Sequence, residues 1–83
     1  MKENPMLRET ILQVVENQLR GNNPPETKET FNRLLKDGVS ENEAKRLIGC
    51  VVASEIFEVL KRREPFDLKR FVDALNRLPE IPM

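Results

Sequence analysis

The 83-residue sequence contains no histidine, no tryptophan and no tyrosine, and it has a single cysteine, Cys50. Histidine is the side chain most used for proton transfer near neutral pH and the commonest metal ligand, so its absence excludes most catalytic templates and metal motifs. One cysteine cannot form an internal disulfide. With apolar neighbours and no activating histidine, Cys50 is interpreted as a small buried hydrophobic residue. We therefore assign no catalytic, cofactor-binding or metal-binding residue, and an enzyme is the less favoured class.

The sequence also lacks an excess of either charge and any long apolar run. Lys plus Arg equals Asp plus Glu, at 14 each, so no net positive charge is present to attract nucleic acid or an anionic membrane. No stretch has the apolar length of a signal peptide or a membrane span. We expect a cytoplasmic protein that does not bind membranes and for which nucleic acid is a disfavoured partner.

What the sequence does contain is a series of strong helix signals, centred on residues 40–63. Ser40 is placed to accept a hydrogen bond from the backbone amide of Glu43, and Pro65 marks the far end. These signals predict one helix over 41–62, about 33 Å long. It carries two apolar stripes rotated relative to each other, which predict two different neighbours. The first stripe is Ala44, Leu47, Ile48 and Val51, and the second is Val52, Ile56, Val59 and Leu60, flanked by Phe57.

Three shorter helices are predicted around this one, near 5–20, 24–37 and 68–78. Their starts are marked by three candidate N-caps, and their ends by Gly21, Gly38 and Pro79. The N-caps are Asn4, Asn23 and Asp67, and the last is joined by Phe66 and Phe71 in the positions of a hydrophobic staple.

The lengths of these elements predict how they pack. Helix two, joined by a tight turn, is expected beside the first half of helix three, and helix four beside the second half. Helix one fills the remaining groove. The sequence therefore predicts an all-α fold, a compact four-helix domain over residues 1–83 with a long central third helix, in which 79–83 form a frayed tail.

Several short motifs carry a resemblance to a known family. They are Asn4-Pro5, Asn17-Gln18-Leu19, Glu43-Ala44 and Pro65-Phe66-Asp67. Together they resemble a family of small, uncharacterised bacterial helical proteins, a domain of unknown function whose helices carry NPxxHxxxHxxxxEQL and HxAxH. The resemblance spans residues 4–79. It implies that the histidines of relatives could hold a divalent metal, because both spacings place imidazoles on one helical face.

This chain departs from the family pattern at every histidine position. Arg8, Leu12, Glu43 and Arg46 stand in their place. A metal role implied by the resemblance is therefore judged lost here, and an ion pair between Arg8 and Glu43 is a candidate structural substitute.

The best carboxylate cluster in the sequence is the pair Glu55 and Glu58, which is placed to approach Glu16. Di-metal helical bundles use inward glutamates with Glu-x-x-His partners, which this chain cannot supply. We interpret the cluster as a solvated edge rather than a metal or acid–base site.

The favoured function is a non-catalytic protein-interaction or self-associating module, with a homodimer or an unknown protein as partner. The contact is expected on the exposed part of one apolar face of helix one, formed by Leu7, Ile11, Leu12 and Val15.

The alternative is helix-turn-helix-like DNA binding through helices two and three. Candidate phosphate contacts are Lys45, Arg46, Lys61, Arg62, Arg63, Lys69 and Arg70. Glu41 and Glu43, at the start of the would-be recognition helix, disfavour it, as does the neutral chain.

Overall fold

Four helices connected by short loops make up the fold. The structure, a computed structural model, describes residues 5–81, with side chains from residue 7 onward. The helices are α1 (Pro5–Gly21), α2 (Pro25–Lys36), α3 (Glu41–Arg62) and α4 (Leu68–Arg77). The all-α, four-helix architecture with a long third helix is confirmed. The predicted N-cap Asn4 and residues 82–83 of the predicted tail lie outside the described residues.

The predicted caps of α3 and α4 are present. The Ser40 hydroxyl accepts from the Glu43 amide at 3.1 Å, and the Asp67 carboxylate accepts from the Arg70 amide at 3.1 Å. The Phe66 ring lies 5.5 Å, centroid to centroid, from the ring of Phe71, as a hydrophobic staple requires. Local sequence signals thus define the start of both helices.

Four predicted helix ends are shifted by one residue, namely the end of α1, both ends of α2 and the end of α4. The N-cap of α2 is Pro24, not Asn23, and no side chain caps it. The reason is that Pro25 pushes the residue before it out of the helical region, so Pro24 is extended and Pro25 begins the helix. At the end of α1, Gly21 remains helical and Asn22 takes the left-handed conformation at φ 51°.

The turn from α2 to α3 is a Schellman motif. Gly38 adopts φ 94°, and its amide donates to the Leu35 carbonyl while the Val39 amide donates to the Leu34 carbonyl, each at 3.0 Å. Val39 also packs against the core that contains Leu34. This turn places α3 directly beside α2.

The core draws on all four helices. Its buried members are Val15, Leu34, Ala44, Leu47, Ile48, Val51, Val52, Phe71, Leu75 and Leu78. The whole first stripe of α3 is therefore buried, as predicted. Within residues 5–81, α1 and α4 each pack on α2 and α3 but do not approach each other. The helices α2 and α3 thus form the centre of the domain.

A contact between α2 and α4 was not predicted from the sequence. The guanidinium of Arg33 donates to the carbonyls of Leu78 and Leu75 at 2.9 and 3.1 Å. These carbonyls lie at the end of α4, where no further helical turn supplies donors, and the Leu75 carbonyl also accepts from the Leu78 amide at 3.1 Å. Arg33 therefore holds the end of α4 against α2.

The helices α1 and α3 are antiparallel and closely packed. The Lys45 ammonium lies 2.6 Å from the Glu16 carboxylate. One turn further along α3, a Cβ on Gly49 would stand 3.3 Å from Cγ2 of Ile11 and 4.0 Å from Cγ2 of Val15. Later residues of α3 thus face earlier residues of α1, and the absence of a side chain at Gly49 permits the close approach.

The second stripe of α3 is not buried as predicted. Val52 is in the core and Val59 is half-buried, but Ile56 and Leu60 are 43% and 72% exposed, and the flanking Phe57 is 67% exposed. The pairings of α1 with α3 place the first residue of α1 level with about Ile56, so α3 continues roughly 9 Å past the start of α1. The exposed residues lie on that uncovered continuation, because α4 packs on a different side of α3.

Candidate interaction surface

Six exposed apolar side chains lie at the end of the molecule where α3 finishes. We call this set the apolar end, and it consists of Leu7, Ile56, Phe57, Leu60, Phe66 and Leu68. They come from the first turn of α1, the last turns of α3, and the connection into α4, which the antiparallel packing brings to the same end. Phe66 and Leu68 also line an open concavity of about 450 Å³ formed by residues 64–69. The six side chains lie on more than one side of α3, since Glu55 faces the start of α4 and Phe57, two residues later, points roughly 160° away from that side. Large apolar side chains left exposed mark candidate binding surfaces.

Charges of both signs surround the apolar end. Arg62 is paired with Glu58 at 2.6 Å, and Lys69 is paired with Asp73 at 3.2 Å. The neighbouring residues 61, 63 and 64 are Lys, Arg and Glu, and all three are exposed. Exposed apolar side chains next to charged ones are common at protein–protein interfaces.

A buried ion pair fixes one side of this surface. Glu55 is 5% exposed, and its two carboxylate oxygens accept from Nε and Nη2 of Arg70, both at 2.8 Å. The backbone amide of Asp67 donates to the same carboxylate at 3.0 Å. The Arg70 hydrogen bonds hold the pKa of Glu55 below its ordinary value, against the opposing effect of burial. Glu55 thereby ties the start of α4, and with it Phe66 and Leu68, to the side of α3.

The interpretation of Glu55 as a residue of a solvated edge is therefore wrong. Its partners lie 12 and 15 residues away in sequence, so no local pattern marks them. Glu58 instead pairs with Arg62, and Glu16 pairs with Lys45. The three carboxylates do not come together, and within residues 5–81 no group of three or more Cys, Asp or Glu side chains could hold a metal ion.

The apolar face predicted on helix one is largely internal. Val15 is fully buried and Ile11 packs against the core, because both lie against Gly49 of α3. Leu12 is half-buried, and Leu7 remains 56% exposed. The predicted contact surface is corrected accordingly: only Leu7 belongs to the exposed apolar end.

The four family-motif positions do not form one site. By the same pairings of α1 with α3, Arg8 lies level with about residue 53 of α3, roughly 15 Å along the helix axis from Glu43, whereas Leu12 lies level with about Gly49, about one turn from Arg46. Both carboxylate oxygens of Glu43 accept from Arg46, at 2.6 and 2.8 Å. These contacts lower the pKa of Glu43. The predicted pair between Arg8 and Glu43 is thus replaced by a pair within α3.

Most of the cations proposed to meet DNA phosphates are already paired with carboxylates. Five of the seven make ion pairs within the chain, namely Lys45, Arg46, Arg62, Lys69 and Arg70. Glu41 and Glu43 are exposed in the first turn of α3, where a recognition helix would meet the bases. The α2–α3 hairpin therefore presents a mixed surface rather than a basic one.

Cys50 was interpreted as a buried residue, but its side chain is half-buried.

None of the helices within residues 5–81 has the length and apolar character needed to cross a bilayer.

Comparison with known proteins gave no match to any protein-family model, to any curated protein or to any solved structure. The resemblance to the histidine-containing bacterial family, and with it the bacterial origin and cytoplasmic location expected from the sequence, stays a prediction.

Proposed function

We propose that this chain is a non-catalytic helical module that binds another protein chain through its apolar end. The observation that carries the proposal is the exposure of Phe57 and Leu60, at 67% and 72%, on the part of α3 that continues past α1. Removing apolar surface from water contributes roughly 25 cal/mol per Å², so large side chains left in water at one end of a domain favour association.

The polar groups of the structure support the same function. The buried carboxylate of Glu55 is engaged by Arg70 and by a backbone amide, and the guanidinium of Arg33 is engaged by two carbonyls of α4. Both groups hold helices together. Six of the eight exposed large apolar side chains within residues 7–81 belong to the apolar end.

Site-specific photo-crosslinking tests the proposal. A photoreactive amino acid would be placed at position 60, in the apolar end, and separately at position 35, where an exposed leucine lies at the opposite end of the domain. We expect a discrete protein adduct from position 60 in purified protein or in cell extract, and none from position 35. Adducts from neither position, or equally from both, would contradict the proposal.

A further inference from the structure

We infer that α4 is a latch, a helix that opens as one unit from a bundle of α1, α2 and α3 that stays folded. Its opening uncovers the side of α3 on which Val51, Glu55 and Val59 follow one another at intervals of four residues. It also moves Phe66 and Leu68, which lie before and at the start of α4. Such opening does not require that the apolar end bind a partner.

The attachment of α4 to the rest of the domain is small. The helix has 10 residues and, together with the residue that follows it, contributes three buried side chains to the core, those of Phe71, Leu75 and Leu78. Within residues 5–81 it packs on α2 and α3 but not on α1. Segments with few buried apolar contacts open at the lowest free energy.

The other three helices hold one another without α4. Seven of the ten buried side chains of the core lie in α1, α2 and α3, and each of these helices packs on the other two. Glu16 of α1 pairs with Lys45 of α3 at 2.6 Å, and the Thr27 hydroxyl of α2 donates to the Gln18 side chain of α1 at 3.0 Å. Removal of α4 therefore leaves every remaining helix with two neighbours.

The connection that leads into α4 permits the opening. Residues 63–67 belong to no helix, and all five are exposed. The ring of Phe66 packs on Phe71 of α4 itself, so it travels with the helix. A rotation within this stretch carries α4 away without displacing the core formed by the other helices.

Two polar contacts hold α4 closed, one at each end. At its start, Arg70 donates to Glu55 of α3 at 2.8 Å. At its end, the carbonyls of Leu75 and Leu78 accept from Arg33 of α2 at 3.1 and 2.9 Å. A helix of 10 residues is shorter than the roughly 12–15 residues that an isolated helix needs in water, so α4 unwinds once it leaves the bundle. Loss of either contact should therefore loosen all of α4 rather than its nearer end.

Native-state hydrogen exchange of the full chain, followed by NMR in urea below the unfolding transition, tests the latch. We expect the amides of residues 71–78 to share one opening, with protection factors at least about tenfold lower than those of the slowest amides in α1, α2 and α3. Their exchange should also depend less on urea, because less surface is exposed when α4 opens alone. If the amides of α4 exchanged only together with the slowest amides of the other helices, the domain would be one cooperative unit and the latch would be overturned.

Two variants show whether α4 opens as one unit. Glu55→Gln removes the contact at its start, and Arg33→Met removes the contact at its end. Each should accelerate the exchange of all α4 amides by at least about tenfold, because both contacts stabilise the closed form alone. The matched control is Glu58→Gln, which breaks a more exposed pair and should change this exchange by less than about threefold. Acceleration confined to the end nearer each substitution would show that α4 frays from both ends, and would overturn the latch.

A substitution on another side of α3 separates the two units. Gly49→Leu disturbs the packing of α1 on α3, where a Cβ would stand 3.3 Å from Ile11. If the bundle of α1, α2 and α3 stays folded while α4 opens, this change destabilises the closed and the opened forms equally. It should then accelerate the slowest amides of α1 and α3 by about tenfold and leave the α4 amides within about twofold of the wild type. Equal acceleration in all four helices would overturn the inference.

Discussion

Glu55 shows how one carboxylate can organise two helices. Its side chain lies in the second half of α3 and accepts hydrogen bonds from the side chain of Arg70 and the backbone of Asp67 in and before α4. Charge-assisted hydrogen bonds of this bidentate type are among the strongest in proteins. Burial makes the carboxylate depend on these partners, because an unpaired charge at this depth is costly. The position of α4 is therefore coupled to a single ion pair.

Replacing Glu55 with Gln should lower the free energy of unfolding by about 2 to 3 kcal/mol. The amide keeps one acceptor oxygen but turns an NH2 group toward Arg70, which stays half-buried without its carboxylate. The loss is smaller than the roughly 3–5 kcal/mol typical of a fully buried pair because Arg70 is 29% exposed. The matched control is Glu58→Gln, which breaks the more exposed pair with Arg62 and should cost less than about 0.5 kcal/mol. Urea denaturation measures both, and equal effects would contradict the special role of Glu55.

The same carboxylate predicts a pH dependence of stability. The folded-state pKa of Glu55 is depressed by Arg70, so its contribution is fully present above the unfolded-state pKa, near 4.3, and is lost as the pH falls through the folded-state pKa. The difference in unfolding free energy between the wild type and Glu55→Gln should be constant above about pH 5 and shrink below about pH 4. Taking this difference cancels the contribution of Glu43, which is present in both proteins. A difference that grows on acidification would refute this assignment.

At the scale of helices, the packing of α1 on α3 depends on Gly49. Gly49→Leu should destabilise the fold by about 1–3 kcal/mol, because its side chain would enter space occupied by Ile11 and Val15. Gly49→Ala should be close to neutral, since the gain in helix propensity of about 1 kcal/mol offsets a small displacement of Ile11.

Gly21 provides the control for this series. It lies at the exposed end of α1, with nothing within 4 Å of a Cβ placed there. Gly21→Leu should therefore change the urea-unfolding free energy by less than about 0.5 kcal/mol. If Gly49→Leu were equally harmless, the close approach of α1 to α3 would be wrong.

Helix boundaries were predictable because caps and turn residues act locally. Ser40, Asp67 and Gly38 each bind or bend the chain within a few residues, and each acts as its pattern predicts. The bridge from Arg33 to the end of α4 spans more than 40 residues, and sequence periodicity carries no information about it. The start of α2 was only partly predictable. Either Pro24 or Pro25 could occupy the first helical position, and Pro25 does so because a proline disfavours the helical conformation in the residue before it.

For the whole molecule, the sequence predicted the number and order of helices but not the extent of their overlap. An apolar stripe shows that a face prefers to be covered, and it does not show what covers it. Val52 and Leu60 belong to the same predicted stripe, yet one is 4% and the other 72% exposed. The difference arises because α1 is shorter than α3, which only the packed structure reveals. The sequence predicted the exposed apolar face on helix one, whereas most of the exposed large apolar side chains within residues 7–81 lie on α3 and in the connection to α4.

This contrast gives a test that uses one substitution at two positions. Val52→Asp should unfold the domain, because it places a carboxylate without a partner in a core shared by the helices, at a cost of several kcal/mol. A domain of this size has only about 4–12 kcal/mol of total stability. Phe57→Asp should leave the chain folded at concentrations where it is monomeric, with a loss of less than about 1 kcal/mol from the lower helix propensity of aspartate. Thermal melting followed by circular dichroism distinguishes the two outcomes. If Val52→Asp melted cooperatively at the wild-type temperature, α3 would not be the buried centre of the domain. If Phe57→Asp unfolded the chain, the apolar end would be covered within the single chain.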